Sequence, residues 1–286
     1  MAGFFGFFDY TKPGPGVPKD APPKPGIVVF FEIYSRKFWN LVKLNILFTI
    51  FNIPAIIAAL YMAHIFIQKD ITGQVLDDLM LKFMFGTIFL CIPVITVGPA
   101  QAGFSYVLRN YSREEHAFIW WDFKDNALKN FKESLIISII DFIVILIVGI
   151  DINIYFTANN SNILMSLASG LLILAFVIYL MMHMYIYPML VTFKLSIRQI
   201  FRNALIFAMM RFLPNLGILL LCVGILIATF WMPVIGFILL PLITLSTIGF
   251  ITNFYVYPQL KKHMMDKIDS SREDKENIEK VAKDTH

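Results

Sequence analysis

Charged residues are scarce in this chain, 15% of 286 positions, where a soluble domain carries roughly 25%. Too few ionic groups are present to clothe a surface facing water. Apolar residues reach 58% and mean hydropathy is +0.70. In water the 28 Phe, 14 Met and 11 Tyr would form large apolar patches, so the solvent for much of the chain is lipid. Cysteine is nearly absent. Cys91 and Cys222 both lie in apolar runs, which excludes a disulfide framework and makes them small packing residues. Residues 1–10 hold no basic segment followed by an apolar core, so no secretory signal peptide is expected. Catalytic signatures are missing too. His64, His116, His183, His263 and His286 show no H-E-x-x-H or comparable spacing, and no glycine-rich phosphate loop, dinucleotide fingerprint, G-x-S-x-G or CxxC occurs. These absences predict a non-enzymatic protein with no catalytic, cofactor-binding or metal-binding residues.

What the chain does have is long uncharged runs. A helix needs about 20 mainly apolar residues to cross about 30 Å of hydrocarbon, and such runs fall near 44–67, 83–108, 135–156, 163–193, 212–231 and 234–258. The expected fold is all-α: a polytopic bundle of about six transmembrane helices joined by amphipathic cytoplasmic helices. Lys and Arg set the orientation. Of the 24 basic residues, all but Lys69 and Lys82 lie before the first run, after the second, after the fourth, or after the last. That alternation predicts both termini in the cytoplasm. It also accounts for the basic residues without nucleic acid, leaving the lipid bilayer as the primary partner.

The chain divides into a Pro/Gly-rich arm (1–26), a membrane domain (27–258) and a charged tail (259–286). In the arm, Phe4, Phe5, Phe7 and Phe8 precede six prolines between Pro13 and Pro25. Such a segment favours extended conformations, and its Phe residues suit the headgroup zone, a partner, or a lid on the bundle. Residues 27–43 read as a helix lying in the membrane plane, with Phe30, Tyr34, Phe38 and Trp39 as interfacial anchors.

Two connections look alike. Ser112 precedes Glu115 by three positions, and Ser196 precedes Gln199 likewise, so each predicts a capping box opening a helix. Both segments then contain Asn-Ala-Leu, at 126–128 and 203–205. Tyr187-Pro188 and Tyr257-Pro258 close two spans in the same way. A repeated hairpin joined by amphipathic helices is the simplest account.

Ionisable and polar groups within spans are the candidate sites. Asp141 and Asp151 fall near opposite ends of the third run, as proton- or cation-linked carboxylates or as groups satisfied at the interfaces. Tyr179, His183 and Tyr187 share one face at i, i+4, i+8, and Asn45, Thr49 and Asn52 form a similar stripe. Such stripes either line a cavity or make interhelical hydrogen bonds. Ala55, Ala59 and Ala63, then Gly98 with Ala102 and Gly224 with Ala228, predict close helix packing.

The run Gly98-Pro99-Ala100-Gln101-Ala102-Gly103, followed by Tyr106-Val107-Leu108-Arg109-Asn110, Arg113-Glu114-Glu115-His116-Ala117-Phe118-Ile119-Trp120 and Asp122-Phe123-Lys124-Asp125, resembles the core motif of the YesL-like membrane proteins. These are a family catalogued as domain of unknown function 624, mainly from Gram-positive bacteria. Arg36-Lys37-Phe38-Trp39 with Leu44-Asn45 is similar to the family's entry into its first span. The resemblance implies a multi-pass protein of the bacterial cell membrane, encoded near carbohydrate-utilisation genes. It thereby implies an accessory role beside an oligosaccharide ABC importer, with permease subunits as partners. Residues 195–215 superficially resemble a permease coupling helix, without the Glu-Ala-Ala loop that engages an ATPase. Arg109, Arg113, Trp120, Trp121, Phe123, Arg198 and Arg202 are the candidate partner-facing residues on the cytoplasmic side. The alternative is a small-solute or ion transporter in its own right.

Overall fold

The computed structural model describes residues 24–67, 75–157 and 163–266, without the side chains of 62–63, 65–67, 75–93, 153–154 and 156–157. Most of the arm (1–23), most of the tail (267–286) and the connections 68–74 and 158–162 lie outside the described residues, and with them the expectations placed there. The chain forms two compact units, 1–36 and 37–286. In the first, the ring of Phe30 stacks on Tyr34 at 5.9 Å, and Lys24 pairs with Glu32 at 2.5 Å in full view of solvent.

Helix α1 spans Gly26–Phe51 without interruption. The sequence led us to expect an in-plane helix over 27–43 separate from the first span. No Gly or Pro lies between Gly26 and Pro54, however, so nothing stops the helix from propagating. The break comes at Asn52, just before Pro54, whose ring lacks the N–H a continuing helix requires. There α1 meets α2 (Ile53–Ile67) at a bend of 53°. The remaining helices are α3 (Val75–Ser112), α4 (Ile119–Lys129), α5 (Phe131–Thr157), α6 (Ile163–Leu190), α7 (Ile197–Met210), α8 (Phe212–Phe230), α9 (Pro233–Leu239) and α10 (Leu245–Leu260). A π-helical turn, Leu240–Thr244, joins α9 to α10, and another, Lys261–Met265, extends α10.

Among the described residues, four helices are long and apolar enough to cross a membrane, or five if α1 and α2 count as one bent span. The protein is thus a helical, multi-pass membrane bundle. The remaining expected span, 83–108, maps onto α3, a helix of 38 residues.

Helix α3 is the hub of the larger unit, packing on α2, α4, α5, α6 and α10. Its small residues explain how. A Cβ at Gly98 would sit 2.2 Å from Ser138 Oγ on α5, and one at Gly103 would sit 2.3 Å from the Phe123 carbonyl oxygen on α4. Both glycines of the Gly98–Gly103 motif are therefore points where a neighbouring helix touches α3. Gly224 has open space where its Cβ would be, so its expected packing face is unused in this chain. On α2 Ala55 and Ala58 are buried while Ala59 is exposed; the side chain of Ala63 lies outside the described residues.

The amphipathic connections form as α4 and α7, and each folds back on the long helix before it, α4 on α3 and α7 on α6. Aligning their Asn-Ala-Leu triplets superimposes the inward residues: Phe123 and Ala127 on α4, Ile200 and Ala204 on α7. Their starts differ. Ser196 makes the expected capping box with Gln199. Ser112 instead belongs to the end of α3, donating to the Arg109 carbonyl at 2.7 Å. Glu114, at φ 60°, closes α3 with Glu115 N–H donating to the Asn110 carbonyl at 2.8 Å and Glu114 N–H to the Tyr111 carbonyl at 3.1 Å. That pairing is a Schellman ending. Helix α4 starts later, with Asp122 accepting from the Phe118 N–H at 2.8 Å.

Asn45, fully buried, braces the π-turn. Its Nδ2 donates to the Leu240 carbonyl at 2.8 Å and its Oδ1 accepts from the Ser246 N–H at 2.6 Å. A π-turn shifts the ladder by one residue and strands backbone groups, whose partners the amide of α1 supplies from across the bundle. Asn45→Ala is expected to lower thermal stability in detergent by about 2 kcal/mol, within the usual cost of orphaning buried polar groups. A variant as stable as wild type would remove the brace from the fold.

Candidate functional site

A cavity of about 250 Å³ opens between α1, α3, α6, α8 and α10. Its walls are mostly apolar, including Phe48, Phe104, Leu108, Leu180 and Leu219, with Gln101, Ser105, His183, Tyr187, Thr252 and Asn253 as polar lining. Two of these polar groups lack partners. Ser105 Oγ and Asn253 Oδ1 are buried without a hydrogen bond, although Asn253 Nδ2 donates to the Gly249 carbonyl at 2.8 Å. A buried carbonyl oxygen without a donor costs about 1–3 kcal/mol. Both atoms belong to residues that border the cavity. Thr252 spends its hydroxyl on its own helix, at 2.9 Å from the Gly249 carbonyl.

His183 links the cavity to α5. Its Nε2 lies 2.7 Å from Asp141 Oδ1, and the Tyr179 hydroxyl donates to the same oxygen. The ring of His183 lies 5.6 Å from both Tyr179 and Tyr187. The expected stripe on α6 therefore does converge, and Asp141 joins it. The sequence placed Asp141 near the edge of a span over 135–156. Helix α5 begins at Phe131, so Asp141 stands ten residues into the helix, about 15 Å along its axis. Asp151 stays apart, accepting from Ser169 at 3.2 Å through Oδ1 while its Oδ2 is unpartnered. Asn52 donates to the Phe48 carbonyl at 2.8 Å, its Oδ1 unpaired at the α1–α2 bend. Neither Asn45 nor Asn52 lines the cavity.

A second polar cluster escaped the sequence reading. Asn215 is fully buried and uses all four of its hydrogen-bonding positions. Nδ2 donates to the Phe207 and Ala208 carbonyls at 3.0 and 3.1 Å, while Oδ1 accepts from Tyr185 and Tyr255 at 2.7 and 2.8 Å. The Ala208 carbonyl is an orphan of the end of α7, while the Phe207 carbonyl also accepts from the Arg211 N–H at 3.3 Å, so one side chain caps α7 and joins α6, α8 and α10. Gln101 with Ser105, four apart on α3, carried a readable signal: two polar residues on one face of an uncharged run.

Several residues expected to face a partner are turned inward. Phe123 is fully buried, pressed against α3 at Gly103 and lying 5.1 Å from the Phe51 ring. Arg109 donates to the Val191 carbonyl at 2.7 Å and to Asn110 Oδ1 at 2.9 Å, and stacks over Tyr106 at 4.3 Å. Burial, then the Arg113 charge, lowers its pKa from the ordinary value. Arg113 lies over the Tyr257 ring at 4.8 Å and within 3.9 Å of Glu115. These guanidiniums tie the ends of α3, α6 and α10 together. Tyr111, between them in the chain, is fully buried with its hydroxyl unpaired, its phenol pushed up to about 12 by burial and then by Asp122. Trp120, Trp121, Arg198 and Arg202 are not fully buried, and both tryptophans are exposed. Beside α4 a cleft of about 410 Å³ runs between Asn126, Lys129, Asn130 and Glu133 and the segment from Leu190 to Leu195.

Residues 38–152 match the family described as Protein of unknown function, DUF624. That stretch contains the Gly98–Asp125 motifs and bears out the resemblance drawn from them. It ends within α5, so the α6, α8 and α10 walls of the cavity lie beyond the matched region. No curated protein and no solved structure matches the chain.

Proposed function

We propose that this membrane protein admits a small polar solute into the cavity beside His183, as a non-enzymatic transporter or channel. The observation that carries the reading is the cavity with its polar lining, which includes Ser105 and Asn253, each holding a buried side-chain oxygen without a hydrogen bond among the described residues. In hydrocarbon such atoms find no water by default, and here their residues border a space that fits a solute. Asn253 Oδ1 demands a donor, while Ser105 gives or takes one. Among the described residues no Lys, Arg, Asp or Glu lines the space, so the chemistry suits hydroxyl or amide groups. At about 250 Å³ the cavity is below the roughly 300–1,000 Å³ of pockets for drug-sized ligands. One sugar ring or a smaller polyol fits that volume; an oligosaccharide does not.

Reconstitution into liposomes tests this. Glycerol and a hexose are expected to enter faster than into empty liposomes, and a disaccharide is not. Ser105→Leu combined with Asn253→Leu should reduce entry at least tenfold. Entry equal to that of empty liposomes for all three probes would sink the reading.

A second reading has its own support, the family resemblance together with the exposed Phe118, Trp120 and Trp121 at α4. In it the protein is an accessory component of an oligosaccharide ABC importer in a bacterial cell membrane, with α4, α7 and both termini in the cytoplasm. Capture in mild detergent should then recover permease subunits, and repeated recovery of the protein alone would count against it.

A further inference from the structure

We infer that Asp141 fixes His183 as a hydrogen-bond donor toward the cavity, so that the solute must present an acceptor to it. This deepens the solute reading and rests on it for the identity of the acceptor. Two groups, His183 Nε2 and the Tyr179 hydroxyl, converge on one oxygen of Asp141. Helices α6, α8 and α10 carry no Lys, Arg, Asp or Glu, and none lies on α3 between Val94 and Leu108. On α5 the next charged groups are Glu133 near the start of the helix and Asp151 ten residues on. Lys43 on α1 is exposed. Tyr187 and Cys222 are the other ionisable side chains on the cavity wall, and neither is a cation. Among the described residues, His183 is therefore the counterpart available to the carboxylate.

An isolated charge in hydrocarbon is costly, and intramembrane ionisable groups pair to avoid it. With one proton shared between Asp141 Oδ1 and His183 Nε2, the pair is neutral as a unit in two arrangements. In one, a carboxylate faces an imidazolium; in the other, a protonated carboxyl donates to a neutral ring at Nε2. In the first both ring nitrogens carry hydrogen, and in the second the hydrogen is on Nδ1. Either way Nδ1 bears a hydrogen. A neutral ring protonated on Nε2 alone would leave Asp141 as an unbalanced charge, or would put the carboxyl proton on Oδ2, where the described residues offer no acceptor. The hydrogen bond at one nitrogen thus decides what the other offers. With Nδ1–H as a donor and Asn253 Oδ1 as an acceptor, the cavity asks for a solute carrying both kinds of group. A hydroxyl or a primary amide does; an ether or a halide ion does not.

Nitrogen NMR of histidine-labelled full-length protein in nanodiscs tests the assignment without any solute, with His183 identified by its loss in His183→Gln. At neutral pH the wild type should show hydrogen on Nδ1, and Asp141→Asn should release the ring into a mixture of tautomers. Wild-type His183 with a bare Nδ1 overturns the inference, and so does a signal unchanged in Asp141→Asn. The wild-type measurement stands even if that variant fails to fold. In liposomes, His183→Gln should retain part of the glycerol entry, because its amide keeps a donor, while His183→Leu should lose at least tenfold. Equal losses in the two variants overturn the donor role. Absence of entry in wild type sinks the solute reading, while the NMR spectra still decide the protonation of the pair.

Discussion

Gly103→Ala is expected to cost about 2–3 kcal/mol, at the upper end for overpacking, and Gly103→Val to leave α4 undocked from α3. The added methyl would lie 2.3 Å from the carbonyl oxygen of Phe123 and 3.0 Å from its carbonyl carbon. Those are backbone atoms, so no rotamer change relieves the clash. α4 as a whole must move outward, drawing the buried Phe123 and Ala127 off α3. Gly98→Ala should behave alike, because its Cβ would meet Ser138 Oγ at 2.2 Å and the Ser134 carbonyl at 2.4 Å. Gly217→Ala and Gly224→Ala make the contrast, since nothing lies within 4 Å of either position. They should be neutral or stabilise their helix by up to about 1 kcal/mol, the difference in propensity between the two residues. Unfolding midpoints in one detergent would rank the four variants. If Gly103→Ala melted with Gly224→Ala, the close approach of α3 and α4 would be wrong.

Asn215→Leu should destabilise the bundle more than any single tyrosine change, by about 3 kcal/mol or more when several buried groups are orphaned together. Leucine is close in size and supplies no hydrogen bonds. It strands the Ala208 carbonyl, leaves the Phe207 carbonyl with the Arg211 N–H alone, and removes the acceptor shared by Tyr185 and Tyr255. Tyr185→Phe should cost about 1 kcal/mol, in line with interhelical hydrogen bonds in membranes, since it deletes one donor. Tyr185 keeps Gln259 Oε1 within 2.9 Å as an alternative acceptor, which also lessens what Asn215 loss costs that residue. Asn215→Asp should resemble leucine, because a carboxylate has no donor for the two carbonyls and repels them. Heat denaturation monitored by circular dichroism checks the order. Asn215→Leu milder than Tyr185→Phe would show that the network is peripheral to stability.

The helices and their stops were largely legible. Ser196 opened α7, and the paired Asn-Ala-Leu segments became two helices docked in the same register, whereas the break before Pro54 fell inside the run read as one span over 44–67. Misreadings arose where a local motif had two physical uses. Ser112 and Glu115 have capping-box spacing, yet the same residues terminate α3, because its apolar face continues to Tyr111 and Tyr111 is buried. Phe123 and Trp121 look alike as aromatics on an amphipathic helix. One is fully buried and the other 60% exposed, and only the position of Gly103 tells which. The Tyr179–His183–Tyr187 face was readable from its spacing. That Asp141 would meet it was not, since 42 residues separate Asp141 from His183.

From the sequence alone come the solvent, the helical class and the gathering of basic residues between and beyond the apolar runs. Each follows from composition and local order, because uncharged runs of that length leave the backbone no stable state in lipid except helix. Helix neighbours, the bracing of the π-turn by Asn45, the inward turn of Arg109 and the placing of Ser105, His183 and Asn253 around one cavity were decided by tertiary structure. A span apolar on every side carries no periodic mark of which face looks inward. Lipid is as greasy as the bundle interior, so burial does not sort the faces. The faces are chosen by glycine contacts and polar partners far apart in the chain, which exist only after the helices have met.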